Sequence, residues 1–241
     1  LYHAFDPIAA GAIAACSVAT FYLVAGLVAP GSGFVIAELV LVAIPVTVAI
    51  SRGHGLGALG IAPARVVYIV SAVLIGLTAW YVNWRLVRWV NPPGNTDAID
   101  ETTGRLSLGA ALVMIAVVPP ICEEVLFRGV LARALAVRLP AIVAIGISAA
   151  AFSAYHLSTI QAIPTFTLGL ALGLLAIRAN SIVPGIVAHA LNNAVAIVIS
   201  RNDLPGLDGW FDAHPDAALC GCAAVTGAGI VLAIVGPRLS R

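Results

Sequence analysis

The sequence predicts an all-α protein, a polytopic transmembrane bundle of about eight helices. Three observations carry that reading. Of 241 residues, 61% are hydrophobic and only 10% are charged, where a soluble domain carries about 45–50% apolar and about 25% charged residues. Mean hydropathy is +1.05, and no Asp, Glu, Lys or Arg occurs in 7–37, 39–51, 66–84, 106–122, 139–155, 157–177, 179–200 or 217–237. The net charge is +1, which leaves no basic footprint for nucleic acid. A cytosolic enzyme, a disordered regulator and a nucleic-acid binder are excluded together.

A spanning helix needs about 20 mostly apolar residues, so helices are placed near 8–29, 34–50, 66–82, 107–137, 140–158, 160–177, 182–199 and 217–235. The first run exceeds the core of a signal peptide and has no basic lead-in, and is read as a retained helix. Pro30-Gly31-Ser32-Gly33 ends the first helix and Arg52-Gly53-His54-Gly55 follows the second, both turn-forming strings. Stretches 83–106 and 200–216 are the two long loops. Every one of the 12 basic residues is Arg. With eight spans, Arg52, Arg65, Arg133, Arg138, Arg178, Arg238 and Arg241 fall on one side, and Arg85, Arg88, Arg105 and Arg201 on the other together with most acids. The Arg-rich side is expected to be cytoplasmic, with both termini and the opening of the site inside. Cys16 and Cys122 read as small buried hydrophobes. The Cys220-x-Cys222 pair points in different directions on a helix and reads as two packed thiols without a bridge.

An ionisable residue at membrane depth costs roughly 2.5–3.5 kcal/mol on insertion scales and is a functional hypothesis by default. Glu38, one turn into the second helix, reads as a structural or interfacial side chain. The remaining group is Glu123, Glu124 and Arg128 on helix four, His156 on helix five, and His189, Asn192 and Asn193 on helix seven. Glu124 and Arg128 are four apart and face one another as an ion pair. Glu123, turned by about 100°, is left without a partner on its own helix, which suits a general base or acid. Pro119-Pro120 just before the acids predicts a break or kink there. With a tight turn near Leu139-Pro140, Glu123 and His156 both lie about 25 Å from it at 1.5 Å per residue. They therefore stand at matching heights, about 10 Å below the cytoplasmic face. Helix seven enters from that face, so His189 and Asn193, stacked four apart, reach the same level. Singly, a membrane His or Asn reads as helix-to-helix glue and Phe152 as core; their convergence at one depth argues for a site.

These residues resemble a known family. Glu123-Glu124-x-x-x-Arg128, Phe152-x-x-x-His156 and His189-x-x-x-Asn193, in that order on successive helices, are similar to the three motifs of the CPBP intramembrane proteases. That family includes the CAAX endopeptidase and bacterial Abi or bacteriocin-processing proteins. The resemblance spans about 118–200. It implies peptide-bond hydrolysis at the membrane, with Glu123, helped by His156, activating water and His189 and Asn193 stabilising the oxyanion. Glu124, Arg128, Phe152 and Asn192 are supporting residues. The expected organisation is one integral membrane domain over 1–241. Within it, 1–106 holds accessory helices, 107–200 the catalytic core, and 201–241 an external loop and the last helix. A metal-free glutamate mechanism is favoured; if zinc were bound, Glu123, His156 and His189 would be its ligands, but no H-E-x-x-H is present. The expected partners are the lipid bilayer and a membrane-associated protein or peptide, with no nucleic acid. The alternatives are a transporter or proton relay using the same polar groups, and a non-catalytic peptide-binding immunity protein. A transporter would favour repeated, interrupted helices, and no internal repeat is found.

Overall fold

A computed structural model describes residues 5–28, 32–90 and 106–237. Asp97, Asp100, Glu101, Arg105, Arg238 and Arg241, used above for orientation, lie outside these residues, as does most of the Pro30-Gly31 turn. The described chain is helical and contains no strand. The helices are α1 (Pro7–Leu27), α2 (Ser32–Ser51), α3 (Val66–Val90), α4 (Leu108–Arg138), α5 (Ala141–Tyr155), α6 (Thr159–Ala179), α7 (Val183–Ser200), α8 (Pro205–Ala213) and α9 (Pro215–Val235). Seven of them are long and apolar enough to cross a membrane, so the polytopic helical bundle is borne out. The expected span at 140–158 is α5, whose 15 residues rise only about 22 Å at 1.5 Å each. It stops because Leu157 takes a left-handed φ of +47°, which no helix continues.

Local chemistry sets several helix ends. Asp6 caps α1, its Oδ1 accepting from the N–H groups of Ile8 at 2.9 Å and Ala9 at 3.1 Å, with Pro7 at the first helical position where no donor is needed. The Ala9 N–H holds the Asp6 carboxyl below its ordinary range. Ser107 and Ser158 cap α4 and α6 in the same way. Asn180, at φ +50°, closes α6 in the left-handed conformation.

Two packing units result. In the first, α1 and α2 form a hairpin whose Phe21, Ala37 and Leu41 pack on Val125, Leu126 and Phe127 of α4 and on Phe152 and Tyr155 of α5. In the second, Tyr68, Ala72 and Ile75 of α3 pack on Leu168, Leu172 and Leu175 of α6, Ala188 of α7 and Ala233 of α9. Lipid tails are as apolar as these side chains, so close approach and polar bonds hold such helices together. Ser71 donates to the Gly229 carbonyl at 2.6 Å, and Thr78 and Thr226 share a hydrogen bond of 2.7 Å. Arg178 donates to the terminal carbonyls of α9 at Ala233, Ile234 and Gly236, groups that the helix itself cannot satisfy.

The long stretch 200–216, expected to be a loop, contains α8. Its Phe211 ring lies 5.3 Å from Trp80 and 4.6 Å from Tyr81 of α3. Trp80, Trp84, Trp89 and Trp210, all four tryptophans of the chain, therefore gather toward the end where α3 finishes and α9 begins. Such a girdle is the aromatic belt of a membrane interface. Arg85 reaches Asp216 across it at 3.2 Å, so α3 continues well beyond residue 82. All four cysteines are free. Cys122 is buried as expected, but Cys16 and Cys220 are exposed, on helix faces that none of the described helices covers.

The double proline does not break α4. The backbone widens into π-helical turns over Leu112–Val117, runs as ordinary α-helix through Val118–Glu123, and widens again over Glu124–Ala132. Wider turns accommodate the proline rings without ending the helix. The second widened segment packs directly on the Leu56–Leu59 turn at Gly129, where a Cβ would run into the Leu59 carbonyl oxygen. Gly129→Ala is therefore expected to destabilise the fold by about 1–3 kcal/mol, read as a lowered melting temperature of the purified protein. An unchanged melt would remove this contact from the account.

Candidate active site

The polar residues of the three motifs meet in one place. A cavity of about 570 Å³ is lined by α1, α2, α4, α5, α6 and α7, and Glu123, Phe152, His156, His189, Asn192 and Asn193 all face it. Glu124 and Arg128 lie behind this wall with no exposed side-chain surface.

The wall is built around the ion pair. Arg128 Nη1 donates to Glu124 Oε1 at 2.6 Å, and Nη2 donates to the Gly169 carbonyl at 3.4 Å. The guanidinium stands over the Phe152 ring, 4.3 Å from its centroid, an arrangement favoured by the ring's negative face. Glu124 also meets helix α7: a Cβ on Gly185 would lie 2.7 Å from Glu124 Oε2. Gly185 thus admits the carboxylate against the first turn of α7, where the helix dipole favours negative charge.

Glu124 in turn orients His189, whose Nδ1 lies 3.3 Å from Glu124 Oε1. A carboxylate paired with Arg can only accept, so this nitrogen carries the proton. The other nitrogen, Nε2, is thereby turned toward Glu123, at 3.6 Å from its Oε2. Glu123 has no cation on its own helix, as the sequence predicts, but it has this partner on α7. His156 is fixed by the same logic. Its Nδ1 lies 2.9 Å from the Phe152 carbonyl, an acceptor, which leaves Nε2 as the acceptor nitrogen. Phe152 serves both rings, meeting His156 at 4.9 Å and His189 at 5.6 Å edge to face.

Asn193 explains how the double proline is tolerated. Pro119 has no N–H, so the Ile115 carbonyl four residues earlier loses its helical donor. Asn193 Nδ2 supplies one at 3.0 Å. Asn193 Oδ1 accepts from Asn192 Nδ2 at 3.3 Å. Each amide nitrogen retains a second N–H beyond these bonds.

The sequence reading missed three residues. Glu38 is not interfacial: it is 1% exposed and lines the cavity, because α2 packs directly beside the start of the acid motif. The hydroxyl of Tyr155 donates to Glu38 Oε1 at 3.1 Å, and that of Tyr22 donates to the Tyr155 carbonyl. A charged residue in an apolar helix was the available signal for Glu38; its depth alone decided between interface and interior. Among the described residues no group of three His, Cys, Asp or Glu side chains is placed to hold a metal ion. Glu123, His156 and His189 share the cavity without forming such a group.

The chain is thus a polytopic helical protein with a buried Glu/His cavity. Residues 105–195 match the family model described as Rce1-like, type II CAAX prenyl endopeptidase. This segment, which carries all three motifs and spans less than half of the chain, is similar to that family. No curated protein and no solved structure matches the chain.

Removing one partner of a buried ion pair strands the other, at a cost of about 3–5 kcal/mol. Arg128→Ala is expected to destabilise the protein by that amount, and Arg128→Lys, which keeps the charge but loses the Gly169 and ring contacts, by less. Melting curves of the two purified variants check the order.

Proposed function

We propose that this chain is an intramembrane endopeptidase in which Glu123 activates the attacking water. The observation that carries the reading is the division of labour between adjacent carboxylates. Glu124 is consumed by Arg128 and His189, whereas Glu123 faces the cavity with only a histidine nitrogen beside it. Glu123 takes a proton from water as the oxygen attacks the peptide carbonyl, with His156 Nε2 as the neighbouring acceptor that orients the water. Glu123 hands this proton to His189 Nε2, 3.6 Å from its carboxylate, which returns Glu123 to a carboxylate and gives the ring an N–H toward the cavity. This N–H and the second N–H of Asn193 stabilise the oxyanion, the role in which one preorganised donor is worth about 3–4 kcal/mol. His189 then passes the proton to the leaving nitrogen as the C–N bond breaks, which restores the neutral ring. No step is routed through a metal.

The substrate is a membrane-associated protein or peptide, and a prenylated CAAX-type protein is the class named by the matching family model. The cavity's wall of Phe21, Tyr22, Phe34, Ile115, Leu168 and Ile197 suits an apolar segment. The Arg distribution favours cytoplasmic termini and a cytoplasmic opening. Residues 107–200 form the catalytic core, and the helices before and after it are accessory.

General-base catalysis contributes about 10²–10⁴ in rate. Glu123→Gln is therefore expected to lose at least that much cleavage while inserting into the membrane at wild-type levels. Comparative proteomics of membrane peptides from cells carrying either form reads the loss as accumulated uncleaved precursors. Identical peptide profiles would overturn the assignment.

A further inference from the structure

We infer that Glu38 is a substrate-selecting residue, a cavity carboxylate that receives a cationic group of the bound segment. The inference rests on the endopeptidase reading and concerns the same cavity. One oxygen of Glu38 is engaged by Tyr155 at 3.1 Å. The other, Oε2, is fully buried and has no hydrogen-bond partner among the described residues. The side chain lines the cavity, so the free oxygen lies directly behind that surface and a small turn of the carboxyl presents it to an occupant. A buried carboxylate oxygen without a partner is costly, and a docked ammonium or guanidinium offsets that cost.

The charge inventory points to a cation. Glu38 and Glu123 both line the cavity, and no Arg is among its lining residues, while Lys is absent from the sequence. Arg128, behind the wall, is already held by Glu124, the Gly169 carbonyl and the Phe152 ring. The cavity is therefore an apolar space with a negative field, which concentrates positive groups. It offers no counter-charge to a substrate's C-terminal carboxylate. Segments that span or abut a membrane carry Lys and Arg beside their apolar stretch on the cytoplasmic side, so a cation next to an apolar run is the pattern this cavity fits.

Glu38 comes from α2, outside the residues 105–195 that match the family model. The matched helices supply the reacting groups, and the N-terminal hairpin adds the selecting charge. Tyr155 and Tyr22 act as positioning residues: Tyr22 holds the Tyr155 backbone and Tyr155 holds Glu38.

The test uses the full chain in lipid nanodiscs and synthetic apolar peptides with acetylated and amidated ends. A single Lys is walked along the peptide, with norleucine at the same position as the uncharged reference. Binding is read by fluorescence anisotropy in the wild type and in the Glu123→Gln, Glu38→Gln and Tyr155→Phe variants, with melting curves for each. The wild type is expected to prefer one Lys position over norleucine by about tenfold or more, the scale of a close interfacial charge pair, and Glu123→Gln, which removes the second cavity carboxylate, to keep a smaller preference at the same position. Glu38→Gln is expected to abolish the preference without weakening norleucine peptides, and Tyr155→Phe to reduce it. A Lys preference equal in wild type and Glu38→Gln, or none in the wild type, would overturn the inference. Because binding is read without cleavage, a charge preference with no hydrolysis would sink the endopeptidase reading alone.

Discussion

The site depends on one interaction, the buried ion pair of Glu124 and Arg128. It joins two turns of α4, anchors Arg128 to α6 through the Gly169 carbonyl, and draws Phe152 of α5 onto the guanidinium. The same carboxylate accepts from His189 of α7. Four helices are thereby tied at one point, with the Arg128 charge set against that of Glu124. A buried pair of this kind adds little net stability over an apolar isostere, but it is strongly destabilising to break. Its consequence here is orientation: it fixes which nitrogen of His189 holds the proton and which faces Glu123.

A second constraint follows from the prolines. Any protein that needs carboxylates inside a membrane helix must also give them room, and π-helical turns on both sides of Pro119-Pro120 supply it. The carbonyl freed by Pro119 is satisfied from α7 by Asn193. Two residues that look like separate features of the sequence, a helix breaker and a polar side chain seventy positions later, are thus partners. In a bilayer, where an unsatisfied backbone group costs several kcal/mol, that partnership is what lets α4 remain continuous.

Much of this was legible beforehand because the chain is so poor in charge. Runs free of charged residues located the helices, and the four-residue spacing of Glu124 and Arg128 fixed their pairing. Matched distances from the turn at Pro140 brought Glu123 and His156 to one height. What escaped was tertiary. Glu38 read as structural or interfacial because its position along α2 says nothing about which helix covers it. The prolines predicted a break or kink, and the helix continues through them because the Asn193 bond comes from another helix. Cys16 was placed inside because apolarity does not distinguish a face turned to lipid from one turned to protein. Periodicity is a weak guide where both faces of a helix are hydrophobic. The accessory hairpin, silent in the motif pattern, turns out to line the cavity.

The central claim is that adjacent carboxylates do different work, Glu124 holding the structure and Glu123 left for chemistry. Thermal unfolding of the purified Glu123→Gln and Glu124→Gln variants in the same lipid tests it most directly. Glu124→Gln, which strands Arg128, is expected to melt well below the wild type, and Glu123→Gln close to it. The reverse order, or equal losses in both, would contradict it.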